Sequence, residues 1–192
     1  MTGNDIVDIK VAATQSNWRR KGFLEKIFTR QEQQYIKDAA VPDEMVWKLW
    51  SMKESAYKVC TRQFGGRFFA PQKFSCTIFT ETTGLVEYYN TGYQTNTIIA
   101  KDYIYSTAKP TGSKKVELIN SCFFLQQTLH TKMQASIYKK IIYAYNSVIG
   151  KKNKNIVVAK DKNGIPFLYC GDNLQIPISI THHGHFAAFT IY

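Results

Sequence analysis

Apolar and polar positions follow two periods along the chain, and each change of period marks an element. Over Met45 to Cys60 the period is helical. Met45, Leu49, Met52, Ala56 and Cys60 form one stripe at about 100° per residue, which should face a core. Trp47, Trp50, Glu54 and Lys58 fall on the opposite side, and two tryptophans there predict a cleft rather than a solvated face, because Trp is mostly buried. Pro42-Asp43-Glu44 opens this helix with acids near its positive end, and Gly65-Gly66 closes the region. Upstream, Asp5 to Ile9 reads as a short strand in which Asp5, Val7 and Ile9 share a face and Asp8 points away. Residues 17–39 read as two helical pieces, with Thr29 and Glu32 at capping-box spacing between them.

From Lys73 to Lys109 the pattern turns to strands. Segments 73–80, 84–90 and 97–109 are separated by Gly, Thr and Asn, and predict an antiparallel sheet behind the 45–60 helix. Pro110-Thr111-Gly112-Ser113 reads as a linker. Residues 117–150 return to a mainly helical pattern, with Ile137, Ile141, Ala144, Tyr145 and Val148 on one stripe. Strands follow at 155–161, 165–169, 178–181 and 186–192, and Asn163-Gly164 suits a tight hairpin. Helices followed by strands thus occur twice. The expectation is an α+β chain of two similar helix-plus-antiparallel-sheet halves, residues 1–110 and 111–192, packed as a pseudo-dimer.

Composition narrows the class. With 44% hydrophobic residues over 192 positions the chain can bury a core, which excludes disorder. The stretch MTGNDIVDIK carries acids and has no apolar h-region, so no secretory signal is expected. No apolar run approaches the roughly 18 residues a membrane span needs. Cys60, Cys76, Cys122 and Cys170 make no C-x-x-C or zinc spacing and read as reduced thiols of a cytoplasmic protein. The formal charge of +11 is uneven: residues 1–110 hold 15 basic against 11 acidic side chains, and residues 111–192 hold 10 against 3. Such a surface suits a polyanion, whether nucleic acid, anionic membrane, phosphorylated cofactor or acidic protein.

Candidate chemistry concentrates on the 45–60 helix. By spacing alone, Glu54 and Lys58 make an ordinary i, i+4 surface ion pair. The longer string Trp50-Ser51-Met52-Lys53-Glu54-Ser55-Ala56-Tyr57-Lys58, however, resembles the W-x-x-KE-(S/A)-x-x-K signature of the 4′-phosphopantetheinyl transferases. Gly3-Asn4-Asp5-Ile6 resembles their G-x-D-I motif. The tail PISITHHGHFAAFTIY resembles the family's (S/N)-x-S-H segment, with Thr181 in place of the serine before His182, and KDKNGIPFLY resembles its G-K-P region. The order of the motifs is that of the small holo-acyl carrier protein synthases. The length leaves room for both halves of a surfactin-synthetase-activating-type pseudo-dimer.

That resemblance implies Mg²⁺-dependent transfer of 4′-phosphopantetheine from coenzyme A to a serine of an apo acyl or peptidyl carrier protein, releasing adenosine 3′,5′-bisphosphate. Asp5 and Glu54 would hold the metal. Mg²⁺ prefers oxygen ligands and keeps waters, so two carboxylates plus pyrophosphate oxygens suffice. Glu54 would also take the serine proton, directly or through water. Lys58 would neutralise the leaving phosphate, and His182 with Thr181 would contact coenzyme A. Two positions depart from the pattern: Val7 stands where many larger members carry a second acid, and Ile165 stands at the lysine of G-K-P. Lys160 or Lys162 could supply the missing cation. His182-His183-x-His185 alternates along a strand, which argues against a three-way zinc site.

The implied partners are coenzyme A and an acidic carrier drawn to the basic surface, without a membrane. A monomer would bind coenzyme A between its halves. Two other readings stand beside this one. A catalytically silent carrier-binding relative would account for Val7 and Ile165, while the intact Asp5, Glu54 and Lys58 speak against it. A nucleic-acid-binding protein would account for the charge, but no recognised binding motif is present and the aromatics are spread through strand-like segments.

Overall fold

The computed structural model describes residues 1–66, 68–114, 119–126, 130–149, 155–171 and 174–192. The first half runs β1 (Gly3–Asp8), three short helices α1 (Ile9–Gln15), α2 (Phe23–Ile27) and α3 (Arg30–Asp38), and the long α4 (Pro42–Phe64). It ends in a meander of β2 (Phe74–Ile78), β3 (Thr83–Tyr88), β4 (Thr91–Ile99) and β5 (Tyr103–Pro110). The second half runs β6 (Ile119–Phe124), α5 (His130–Ile149), β7 (Ile156–Lys160), β8 (Pro166–Cys170), β9 (Leu174–His183) and β10 (Phe186–Ile191). The sheets have the orders β1-β5-β4-β3-β2 and β6-β10-β9-β8-β7. In each, the opening strand pairs antiparallel with the last strand of its own meander. The two halves are therefore topological copies, and the chain is the expected α+β pseudo-dimer.

Three boundaries differ from the sequence reading. Residues 119–124 form a strand paired along its length with β10, where helix was expected. Ile119, Phe123 and Phe124 suit a pleated, half-buried surface, and Asn120, Ser121 and Cys122 are poor helix formers. Positions 117–118, 127–129 and 150 of that expected helix lie outside the described residues. The strand expected to reach Ile9 stops at Asp8, whose side chain accepts from the Val11 N–H (3.1 Å) and caps α1. Segment 97–109 is two strands joined by a turn closed by the Ala100 N–H donating to the Tyr103 carbonyl (2.9 Å).

Helix α4 packs on the first sheet through Leu49, Met52, Ala56 and Cys60, all buried as the stripe predicts. Its opposite face is not open along its length. Trp47 is only 6% exposed and belongs to the same core, with Trp50 packed against it, because α1 and α3 lie against α4. The expected cleft begins further on, at Tyr57 and Lys58. Helix α5 buries Ile137 and Ile141 on the second sheet and half-buries Ala144 and Tyr145, whereas Val148 is exposed. Among the described residues no helix is long and apolar enough to cross a membrane, and all four cysteines are free.

The halves meet where β1 runs beside β9. The N–H groups of Asn4, Ile6 and Asp8 point away from β5 and donate to Ser179 Oγ (3.2 Å), Thr181 Oγ1 (3.3 Å) and His183 Nδ1 (2.9 Å). Every pair is 175 residues apart, so side chains of one strand form a ladder along the backbone edge of the other. Gly184 (φ +54) closes the β9–β10 turn against Asp8. A Cβ at Gly184 would fall 2.4 Å from Asp8 Oδ2, which instead accepts the His185 N–H at 2.9 Å.

Candidate active site

The site begins with a close approach. A Cβ on Gly3 would lie 2.1 Å from the Ser55 carbonyl oxygen, so only glycine lets β1 rest against α4 at this point. Resting there, β1 brings Asp5 to Lys58. The Lys58 ammonium donates to the Asn4 carbonyl (2.7 Å) and to Asp5 Oδ1 (3.3 Å). Thr181 Oγ1 donates to the same Oδ1 at 3.1 Å, and Ser51 Oγ donates to the Asp5 backbone carbonyl at 3.2 Å. Burial raises the Asp5 pKa, while Lys58 and the hydroxyls of Thr181 and Ser51 pull it back.

Glu54 sits one turn before Lys58 on α4. Burial pushes its carboxyl up to about 7, the nearby Asp5 charge adds to the rise, and Lys58 opposes it. Asp5 and Glu54 thus disfavour each other's charge in a poorly solvated place, which a small hard cation would relieve. The donors are all oxygens, as Mg²⁺ prefers. Val7 is buried in the core and Asp8 is committed to α1 and His185, so neither adds a ligand. Among the described residues no group of three or more His, Cys, Asp or Glu forms a metal site. The residues present fit Mg²⁺ as a pair of carboxylates, and its remaining ligands would have to come from water and substrate.

Lys53, beside Glu54 in sequence, does something else. Its ammonium pairs with Glu32 Oε2 at 2.7 Å, the two side chains being 2% and 0% exposed. It also donates to the carbonyls of Ile27 (3.2 Å), Pro71 (2.9 Å) and Phe74 (2.6 Å). Glu32 in turn accepts from the Thr29 N–H (2.7 Å), completing the expected capping box, and from the Cys76 N–H (2.6 Å). This buried knot fixes the rotation of α4 and with it the direction of Glu54. The capping box was legible in the sequence; the ion pair was not, because nothing in a string marks which lysine will be buried.

A cavity of about 690 Å³ lies between the halves. Helix α4 supplies Tyr57, Lys58, Thr61 and Arg62, and α5 supplies Met133, Gln134, Ile137 and Tyr138. The β7–β8 hairpin adds Lys160, Asn163, Gly164, Ile165 and Pro166, and β9 adds Ser179, Ile180 and His182. Lys58, Arg62, Lys160 and His182 are its basic groups, and among the described residues no acid lines it. Lys162 does not line it. Arg62, unremarked in the sequence, continues the Glu54–Lys58 face by one more turn and donates to the Tyr192 hydroxyl (2.5 Å) and the Ile178 carbonyl. A smaller cavity of about 210 Å³, bounded by Glu54, Phe68, Phe69 and Phe74, shares Tyr57 with the first.

The structure therefore gathers Asp5, Glu54, Lys58 and Thr181; of these Lys58 lines the larger cavity together with His182, while Glu54 lines the smaller one. Thr181 is 6% exposed and does not line the larger cavity. His183 accepts from Asp8, and the His185 ring stacks on Phe124 with centroids 5.6 Å apart.

A family model described as the 4′-phosphopantetheinyl transferase superfamily matches residues 1–108. Among solved structures, the chain is similar to the Thermotoga maritima holo-[acyl-carrier-protein] synthase. The identity is 9%, the alignment covers 91% of this chain and 83% of that one, and the TM-score is 0.45. No curated protein matches the chain.

Proposed function

The chain belongs to the 4′-phosphopantetheinyl transferase superfamily, and from that premise we propose that it moves 4′-phosphopantetheine from coenzyme A to a serine of an apo acyl or peptidyl carrier protein. The observation that carries this is the meeting of Asp5, Glu54 and Lys58 beside a cleft with three further basic side chains. Coenzyme A presents a pyrophosphate and a 3′-phosphate on a nucleoside with a flat aromatic base, and a cleft of about 690 Å³ lies within the usual range for such ligands.

In this reading the serine hydroxyl oxygen attacks the β-phosphorus, the bond to the bridging oxygen breaks, and adenosine 3′,5′-bisphosphate leaves. Charge neutralisation and alignment are the main requirements of such a reaction. Mg²⁺, when held by Asp5 and Glu54, supplies positive charge to the pyrophosphate oxygens. Glu54 accepts the serine proton, and Lys58 meets the charge that grows on the departing phosphate. His182 contacts the nucleotide phosphates. Lys160, on the cavity wall, takes the part of the cation missing at Ile165, in preference to Lys162. The basic surface receives an acidic carrier, and the free thiols suit a cytoplasmic setting. Both halves contribute, so one chain completes a site.

The test is the mass of candidate apo-carrier proteins after incubation with coenzyme A and Mg²⁺. A gain of one phosphopantetheinyl group on the acceptor serine is expected. No gain on any carrier, from a chain that also fails to bind coenzyme A, would sink the proposal.

A further inference from the structure

We propose that Thr181, on the second half, is a positioning residue for the Asp5 carboxylate of the first, and through it for the Mg²⁺ that Asp5 and Glu54 would hold. The inference rests on the reading of those two carboxylates as a cation site. The resemblance in sequence pairs Thr181 with His182 as contacts to coenzyme A, but strand geometry separates them. Successive side chains of β9 alternate in direction. Ile180 and His182 line the cleft between the halves; Ser179 and Thr181 both turn to β1, Ser179 reaching the cleft edge while Thr181, 6% exposed, does not.

The direction of each bond is forced by chemistry. The Ile6 N–H can only donate, so the Thr181 oxygen accepts it at 3.3 Å. An ionised Asp5 can only accept, so the Thr181 proton goes to Oδ1 at 3.1 Å. The hydroxyl thus has one backbone partner that fixes its place and spends its single proton on Asp5. Lys58 meets the same Oδ1 at 3.3 Å, and the carboxylate is held from two elements of different halves. Buried hydrogen bonds of this kind are stronger than solvated ones and orient the groups they hold. Partners that orient a ligating carboxylate typically contribute tenfold or more to metal affinity.

The experiment uses the full chain and Mn²⁺ as the probe, with free Mn²⁺ followed by electron paramagnetic resonance. Thr181→Val keeps the shape and removes the hydroxyl, and should weaken Mn²⁺ about ten- to a hundredfold. Thr181→Ser, which restores the hydroxyl, should return affinity close to that of the parent. Adenosine 3′,5′-bisphosphate, titrated without metal, should bind Thr181→Val as it binds the parent, while His182→Ala binds it more weakly. Parental Mn²⁺ affinity in Thr181→Val overturns the assignment. So does a loss of bisphosphate binding in Thr181→Val that matches its loss of Mn²⁺, and so does a parent that binds no Mn²⁺. If Thr181→Val does not fold, Thr181→Cys replaces it, and an affinity equal to the parent's again overturns the assignment. A parent that binds Mn²⁺ but neither bisphosphate nor coenzyme A would remove the transferase reading while the Mn²⁺ comparison still decides the role of Thr181.

Discussion

Glu54 is pulled in two directions: the proposed chemistry would want its charge, and its surroundings disfavour it. Its carboxyl titrates at about 7 in the folded chain against an ordinary 4.5. The folded state therefore holds this proton more tightly than the unfolded one. The resulting stability is fully present below about pH 4.5 and is lost as pH rises through 7. Glu54→Gln should then abolish transfer and yet raise the melting temperature of the metal-free chain at pH 8, with little change at pH 4.5. The gain should be a few kcal/mol at most. Paired melts of parent and variant at the two pH values decide it, and parallel curves would assign the pH dependence to another group. Lys160→Ala should raise the KM for coenzyme A severalfold while Lys162→Ala leaves it near the parent's; steady-state kinetics on the two variants separate them, and equal effects would refute the choice of Lys160. At this scale the sequence was most informative where function needs a fixed string. Asp5, Glu54 and Lys58 stand in motifs whose spacing encodes a β1–α4 contact. Thr181 and Arg62 act through partners 176 and 116 residues away, a relation no local pattern records.

Among the elements, α4 shows why a hydrophobic stripe was an incomplete guide. Periodicity identifies a buried face only when another face is wet. Here the sheet takes one side and the α1 and α3 helices another, so Trp47 sank into the core that the stripe had placed opposite. The misread β6 has a related cause, since a short apolar run does not distinguish strand from buried helix. The Lys53–Glu32 pair holds α4 in register, and breaking it strands a charge. Lys53→Ala should lower stability by about 3–5 kcal/mol, measured by chemical denaturation. Replacing buried pairs with apolar side chains is often harmless, but not expected so in this case: Glu32 also accepts the Thr29 and Cys76 N–H groups, and Lys53 serves three carbonyls. The double variant Glu32→Leu/Lys53→Met should remain less stable than the parent. Recovery of parental stability would mean those backbone groups find other partners without loss.

For the whole molecule, the duplication was legible only as helices followed by strands in each half; the equivalence of β1 and β6 was not, because 119–124 read as helix. The arrangement of the halves was not legible, because the ladder from β9 to β1 depends on which backbone edge is left unpaired. If each chain completes its own site, an equimolar mixture of Glu54→Gln and His182→Ala should show no more activity than the two variants apart. Substantial recovery in that assay would mean that sites are shared between chains.

The ladder also has a consequence for biosynthesis. β1 is made well before its partners, because the side chains that receive its free N–H groups lie 175 residues downstream. Until Ser179, Thr181 and His183 have been made, the nascent first sheet presents an unsatisfied edge of the kind that recruits other strands. Contacts of such long range also close slowly. A fragment ending at Pro110 should therefore self-associate in light scattering at concentrations where the full chain does not. The cation site would then be completed only once β9 has been made, so a chain not yet extended that far would carry Asp5 and Glu54 without the hydroxyl that meets the Asp5 carboxylate.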